Sequence, residues 1–203
     1  MPRTTSAPAR KASISVTGFP LHDEATAPAE ALPHLAAARE RMGFLTTLNA
    51  VMAESPQLLA GYTALAQQFA ASSLPKPAQQ VVLLTASVAN ACPHCVAAHS
   101  TLALRAGLTP DDVNALRDAT TLQDPSLEAV RRLTQAIVDK RGWADEQDIA
   151  GFLAAGHTHR QILDIVLGVG MKTLSNYTNH LTHTPVDPAW HDQQWTPPAT
   201  TTP

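Results

Sequence analysis

Residues 79–108 read QQVVLLTASVANACPHCVAAHSTLALRAGL, and the fold turns on how this stretch is understood. From Gln79 to Ala89 it is apolar nearly all round, with Val81, Val82, Leu83, Leu84, Ala86 and Val88. A helix without a polar face belongs inside a bundle or at a subunit contact, so the stretch predicts a buried helix, with a strand as the competing reading. Asn90 and Pro93 then predict a turn and a second helix beginning near Cys92, and Gly107 is suited to end it in the left-handed conformation.

Working outward, the same grammar recurs. Ser55-Pro56, Thr109-Pro110 and Asp124-Pro125 each put a capping side chain before a proline fit for the first helical position. Gly142 and Gly156 stand where helices end. Leu127, Val130, Leu133 and Ile137 recur at helical spacing. Thr158 with Gln161 forms a capping box ahead of Ile162, Ile165, Val166 and Val169, in a helix expected to run to about Leu181. Hydrophobic residues make up 44% of the 203-residue chain but aromatics only 4%. Such a core is built from Ala, Leu and Val, which favours packed helices. The predicted fold class is all-α.

Prolines cluster at the ends, five in residues 1–33 and five in 185–203, with none between Ser126 and Thr184. The expected organisation is a disordered tail over residues 1–20, a helical domain over 21–184 and a Pro-rich tail over 185–203. The first 20 residues contain no acid, as in a transit peptide, but lack the apolar centre of a secretory signal. A net charge of −3 with no basic block gives no footprint for nucleic acid or an anionic membrane. No apolar run approaches the length of a membrane span. The expectation is a soluble, cytoplasmic protein without nucleic-acid or membrane partners.

Both cysteines of the chain, Cys92 and Cys95, stand three positions apart, with His94 between them and His99 four residues beyond Cys95. On a helix starting near Cys92, Cys95 lies in the first turn, where unpaired N–H groups and the helix dipole favour a thiolate. Cys92 and Cys95 share a face within disulfide reach. The imidazole of His99 is expected to lean back over the Cys95 sulfur and take its proton. Dipole and imidazole act together to lower the Cys95 pKa, and Cys92 could resolve a sulfenic acid or exchange with an external thiol. Four other readings stand beside this one. They are a zinc site, hard to close with His94 and His99 on one short helix; a structural disulfide, which gains little from so small a loop; a thioredoxin-type centre, for which no βαβ pattern is visible; and inert buried thiols.

These residues resemble the alkylhydroperoxidase D and carboxymuconolactone decarboxylase superfamily, through residues 79–108 and, more loosely, KTLSNYTNHLTHTPVD at 172–187. The resemblance implies an AhpD-like helical bundle assembling as trimers or larger rings. It implies that Cys95 attacks a small hydroperoxide, that Cys92 resolves the product as a disulfide, and that His99 relays the proton. A thiol or dithiol reductant restores the pair, and no cofactor is called for. His94 matches a histidine found between the family's cysteines. The family's glutamate twelve residues before the first cysteine is Gln80 in this chain. In a hairpin turning near Ala91, Gln80 comes within reach of His99, which an amide can orient without accepting a proton.

The 172–187 segment supplies Lys172, Asn176, Tyr177, Asn179 and His180; Asn176 shares a helical face with His180 and with Lys172, so they read as pocket lining or a subunit contact, with capping and packing favoured over catalysis. His157 and His159 are expected to be solvated, and Trp190 and Trp195 to anchor the C-terminal tail on a neighbouring subunit. The leading functional expectation is a thiol-dependent peroxidase or disulfide oxidoreductase. The alternatives are a non-catalytic redox sensor or scaffold, and a lactone decarboxylase carrying an idle Cys-x-x-Cys.

Overall fold

The computed structural model describes residues 13–198 apart from residue 16, so most of the tail expected over residues 1–20 lies outside the described residues. Among the described residues the only strands are β1 (Ser13–Ile14) and β2 (Pro20–Leu21), a two-residue antiparallel ladder. The rest is helical: α1 (Leu32–Met42), α2 (Thr47–Met52), α3 (Pro56–Ala70), α4 (Lys76–Ala89), α5 (Pro93–Arg105), α6 (Pro110–Arg117), α7 (Pro125–Asp139), α8 (Glu146–Ala154) and α9 (His159–Thr182). The fold is all-α. No helix among the described residues is long and apolar enough to cross a membrane.

Several helices start at a side chain that caps them. Ser55 and Thr109 accept the N–H of Leu58 and Asp112, and Asp124 accepts those of Ser126 and Leu127. Proline follows each cap, at the position where a missing N–H costs nothing. Thr158 and Gln161 complete the reciprocal capping box at the head of α9. Gly107, Gly142 and Gly156 all adopt positive φ just past helix ends.

α4 is the hub, with α5, α6, α7 and α9 packed around it. Its side chains Val81, Val82 and Leu84 are fully buried, in one core cluster with Phe69, Val96, Val130, Leu133, Phe152 and Ile165. An all-round apolar helix is stable only where neighbours cover every face. The smaller N-terminal cluster of Leu35, Leu48, Met52 and Leu59 seats α1, α2 and α3.

The C-terminal segment is not a loose tail. Pro188–Gln193 forms a 3-10 turn that buries Trp190 against Ala97 and Ala98 of α5. Arg117 donates to the Gln193 side chain and the Gln194 carbonyl. Trp190 therefore anchors the segment on its own subunit, because α5 presents two alanines there that leave space for an indole. His157 is also held, stacked on Phe152 at 4.3 Å and hydrogen-bonded to Ser126.

α9 approaches α3 and α4 closely at Gly168. A Cβ there would lie 2.7 Å from Phe69 Cε2 and 2.8 Å from Val82 Cγ1. In Gly168→Ala, overpacking of about 1–3 kcal/mol opposes a helix-propensity gain of about 1 kcal/mol. The expected outcome, checked by thermal unfolding, is a lower Tm, the opposite of what an open helical glycine gives.

Candidate active site

The site begins with the reversal between α4 and α5. α4 closes with Ala91 N–H donating to Val88 O and Cys92 N–H to Ser87 O, while Ala91 takes φ of 50°. That left-handed residue turns the chain so that α5 runs back along α4. Cys92 is the N-cap of α5 and Pro93 its first residue, and the Cys92 side chain accepts no capping hydrogen bond. Its thiol is thereby left available to Cys95, one turn on.

Opposite this turn stands the inner face of α9. Lys172, Ser175, Asn176 and Asn179 are all buried there, at spacings of three and four that put them on one face. The Asn179 side-chain amide donates to Cys95 Sγ at 3.2 Å and lies 3.8 Å from Cys92 Sγ. The Ser175 hydroxyl is 3.9 Å from Cys95 Sγ. Asn90 Nδ2 donates to Asn176 Oδ1 at 3.0 Å, tying the end of α4 to the same helix.

Both cysteines are reduced and buried. Burial pushes the Cys95 thiol up, but the hydrogen bond from the Cys92 thiol and the Lys172 charge outweigh it, helped by His94. Cys95 ends well below the ordinary thiol value. Cys92 moves the other way: the hydrogen bond it donates to Cys95, its burial and the adjacent negative charge all raise its pKa. Of the two sulfurs, Cys95 is the one favoured as thiolate and Cys92 the one favoured to keep its proton.

His99 and Gln80 meet across the hairpin, with His99 Nδ1 3.1 Å from Gln80 Oε1. An amide oxygen only accepts, so Nδ1 carries the proton and Nε2 is the ring's acceptor. Burial, then the charges of Lys172 and His94, hold the His99 pKa well below the usual imidazole value. His99 is neutral at physiological pH. No hydrogen bond joins it to Cys95 among the described residues; the groups placed on that sulfur are Cys92 and the side chains of α9. His94 instead donates from Nδ1 to the Pro185 carbonyl at 2.8 Å and meets Trp190 edge-on at 5.4 Å. Its Nε2 lies 3.9 Å from the Asp187 carboxylate, which also receives the Thr47 N–H and hydroxyl.

A cavity of about 290 Å³ opens on this site. Cys95, His99, Gln80, His94 and Lys172 all line it, among apolar groups such as Leu83, Phe69, Met171 and Trp190, while Cys92 does not reach it. Cys92 is 0% exposed and Cys95 2%, so the second sulfur sits behind the first.

The structure therefore brings together all five residues singled out from the sequence. It adds Ser175, and it places Lys172 and Asn179, read from the sequence as residues of a packing face, beside the Cys95 sulfur. Their signal was present: polar residues at 172, 175, 176 and 179 along one face of a mainly apolar helix are costly unless they serve something buried. Tyr177 and His180, from the same segment, face outward and are exposed.

Residues 56–136 match the carboxymuconolactone decarboxylase family. No curated protein matches the chain. Among solved structures, the alkylhydroperoxidase AhpD core protein from Ralstonia eutropha JMP134, a peroxidase-related protein, superposes with a TM-score of 0.76 at 17% identity, covering 85% of this chain and 93% of its own. A peroxidase-related protein from Silicibacter sp. TM1040 gives 0.68 at 19% identity, covering 94% and 98%. A variant of the debrominase Bmp8 in complex with 2,3,4-tribromopyrrole gives 0.70 at 15% identity, covering 81% and 89%. The α3–α7 region with its Cys-x-x-Cys hairpin is thus the part of the chain that matches the carboxymuconolactone decarboxylase family, and the helical bundle around it has the fold of the AhpD-like structures.

Proposed function

We propose that the protein is a thiol-dependent peroxidase or disulfide oxidoreductase that reduces organic hydroperoxides through Cys95 and Cys92. The observation that carries this reading is the stacking of the two sulfurs. Cys95 lines the cavity as the lower-pKa thiol, and the Cys92 thiol donates to it from behind.

The Cys95 thiolate attacks the terminal peroxide oxygen and the O–O bond breaks. Sulfur is oxidised to the sulfenic acid, and the alkoxide takes up a proton to leave as the alcohol. Cys92 then attacks that sulfur, expelling water and forming the disulfide, which an external thiol or dithiol reduces. Cys92 needs no movement around the chain to do so, since both thiols occupy one helical turn. The Asn179 amide holds the Cys95 sulfur in place and stabilises its charge. His99, neutral and with Nε2 as acceptor, relays protons through the cavity, and Gln80 fixes its ring without taking a proton itself. His94 locks residues 185–190 over the site.

A second reading, a redox sensor whose assembly follows its thiol state, is favoured by the outer face of α9. Leu163, Val166, Tyr177 and Leu181 are exposed there, Leu163 by 70% and Leu181 by 72%, on the side of the helix opposite Lys172 and Asn179. This stripe is the proposed contact with a second copy of the chain, in a homo-oligomer.

Reduced protein mixed with cumene hydroperoxide is expected to lose two thiols per peroxide consumed. No loss in wild type, or undiminished loss in Cys95→Ser, overturns the peroxidase reading. Lactone decarboxylation surviving in a Cys92→Ser/Cys95→Ser protein would assign the decarboxylase instead. Gln80→Glu supplies a carboxylate to His99 and is expected to speed peroxide turnover by about ten-fold near neutral pH, read by stopped-flow. Leu163→Glu combined with Leu181→Glu is expected to reduce the mass seen by light scattering. A mass that changes with oxidation, alongside negligible turnover, selects the sensor.

A further inference from the structure

Lys172 is the charged group the expected histidine relay leaves unexplained. It is 1% exposed, at the floor of the cavity, on the α9 face that meets the first turn of α5. Buried lysines ordinarily have a carboxylate partner, since an isolated ammonium in an apolar interior is expensive. No Asp or Glu lines this cavity. The groups facing Lys172 are Cys95, Cys92, His94 and His99 from α5 and Tyr62 from α3, with Arg41 of α1 near Tyr62. Of these, only Cys95 is set up to carry negative charge at neutral pH.

We propose that Lys172 is the acid and charge partner of Cys95: its ammonium pairs with the resting thiolate and delivers the proton that the departing alkoxide takes. This rests on the peroxidase reading and names the proton donor that reading needs. His99 can receive a proton but does not supply the first one, because Gln80 holds it as neutral imidazole with its free nitrogen an acceptor. Burial lowers the Lys172 pKa, but Cys95, by charge and hydrogen bond, together with Tyr62 and Cys92 more than offsets it, so the amine is held in its ammonium form.

The step balances with this one proton. The Cys95 sulfur pair goes to the terminal peroxide oxygen, which keeps its hydrogen as the sulfenic O–H. The O–O bond breaks, and Lys172 Nζ protonates the alkoxide. The amine that remains accepts the Cys92 thiol proton as Cys92 attacks, and returns it to the hydroxide leaving the Cys95 sulfur. The products are alcohol, water, the Cys92–Cys95 disulfide and an uncharged Lys172. Oxidation therefore removes both charges of the buried pair together.

The test uses Cys92→Ser protein, where Cys95 is the sole thiol, titrated by its rate of alkylation with iodoacetamide across pH. Adding Lys172→Met is expected to raise the midpoint by at least one pH unit, and Lys172→Arg to restore it. Arginine keeps the charge but holds its proton. With Cys92 present, Lys172→Arg is therefore expected to be oxidised by cumene hydroperoxide at least ten-fold more slowly than wild type. Equal midpoints with and without Lys172 overturn the charge pairing, and an arginine variant as fast as wild type overturns the proton delivery. Should Lys172→Met not fold, wild-type protein with 13Cε-labelled lysine decides by NMR titration. The Lys172 midpoint is expected to fall by more than one pH unit when diamide forms the disulfide, and an unchanged midpoint overturns the proposal. A lysine-dependent Cys95 midpoint in a wild type inert to hydroperoxide would sink the peroxidase reading while leaving the ion pair standing.

Discussion

The structure depends on one polar contact inside an apolar bundle: the first turn of α5 pressed against the inner face of α9, where Cys95, Lys172 and Asn179 meet. A buried ammonium and a buried thiolate are each unfavourable alone. Together, with an amide donor on the sulfur, they make a site whose charge states are set by one another. Two large requirements follow for the rest of the fold. α4 must reverse tightly so that both cysteines face inward, and α9 must approach closely enough to deliver its polar row. Ala91 in the left-handed conformation meets the first, and Gly168 against Phe69 and Val82 meets the second.

α9 carries two functions back to back. Its inner face supplies lysine, serine and asparagines to the cysteines, and its outer face shows an apolar stripe uncommon on a solvated helix. Whatever covers that stripe bears on the helix whose other side contacts the Cys95 sulfur. The closing segment works similarly. Trp190, Asp187 and Pro185 cover His94, so the residues after α9 form one wall of the cavity.

The superposed structures share this bundle at under 20% identity, and they include both peroxidase-related proteins and a debrominase. The bundle is thus a frame, and chemistry is decided by the side chains it presents. Here Gln80 faces His99 with an amide, which orients the ring but takes no proton. From another direction α9 places Lys172 beside Cys95.

Much of this was legible in the chain. Caps and prolines marked the helix starts at Pro56, Pro110, Pro125 and His159, because capping is settled within a few residues. The Cys-x-x-Cys spacing, the reversal near Ala91 and the meeting of Gln80 with His99 follow from one hairpin, and the sequence alone determined them. The neighbours of the thiolate were decided only by tertiary structure. Asn179 and Lys172 lie about eighty residues from the cysteines, so nothing local fixes which face of α9 meets α5. Burial acts on the groups differently: it favours neutral His99, while for Lys172 the neighbouring Cys95, Tyr62 and Cys92 outweigh it and favour the ammonium. Trp190 follows the same logic, since a Pro-rich stretch reads as a tail until two alanines of α5 provide the space that its ring fills.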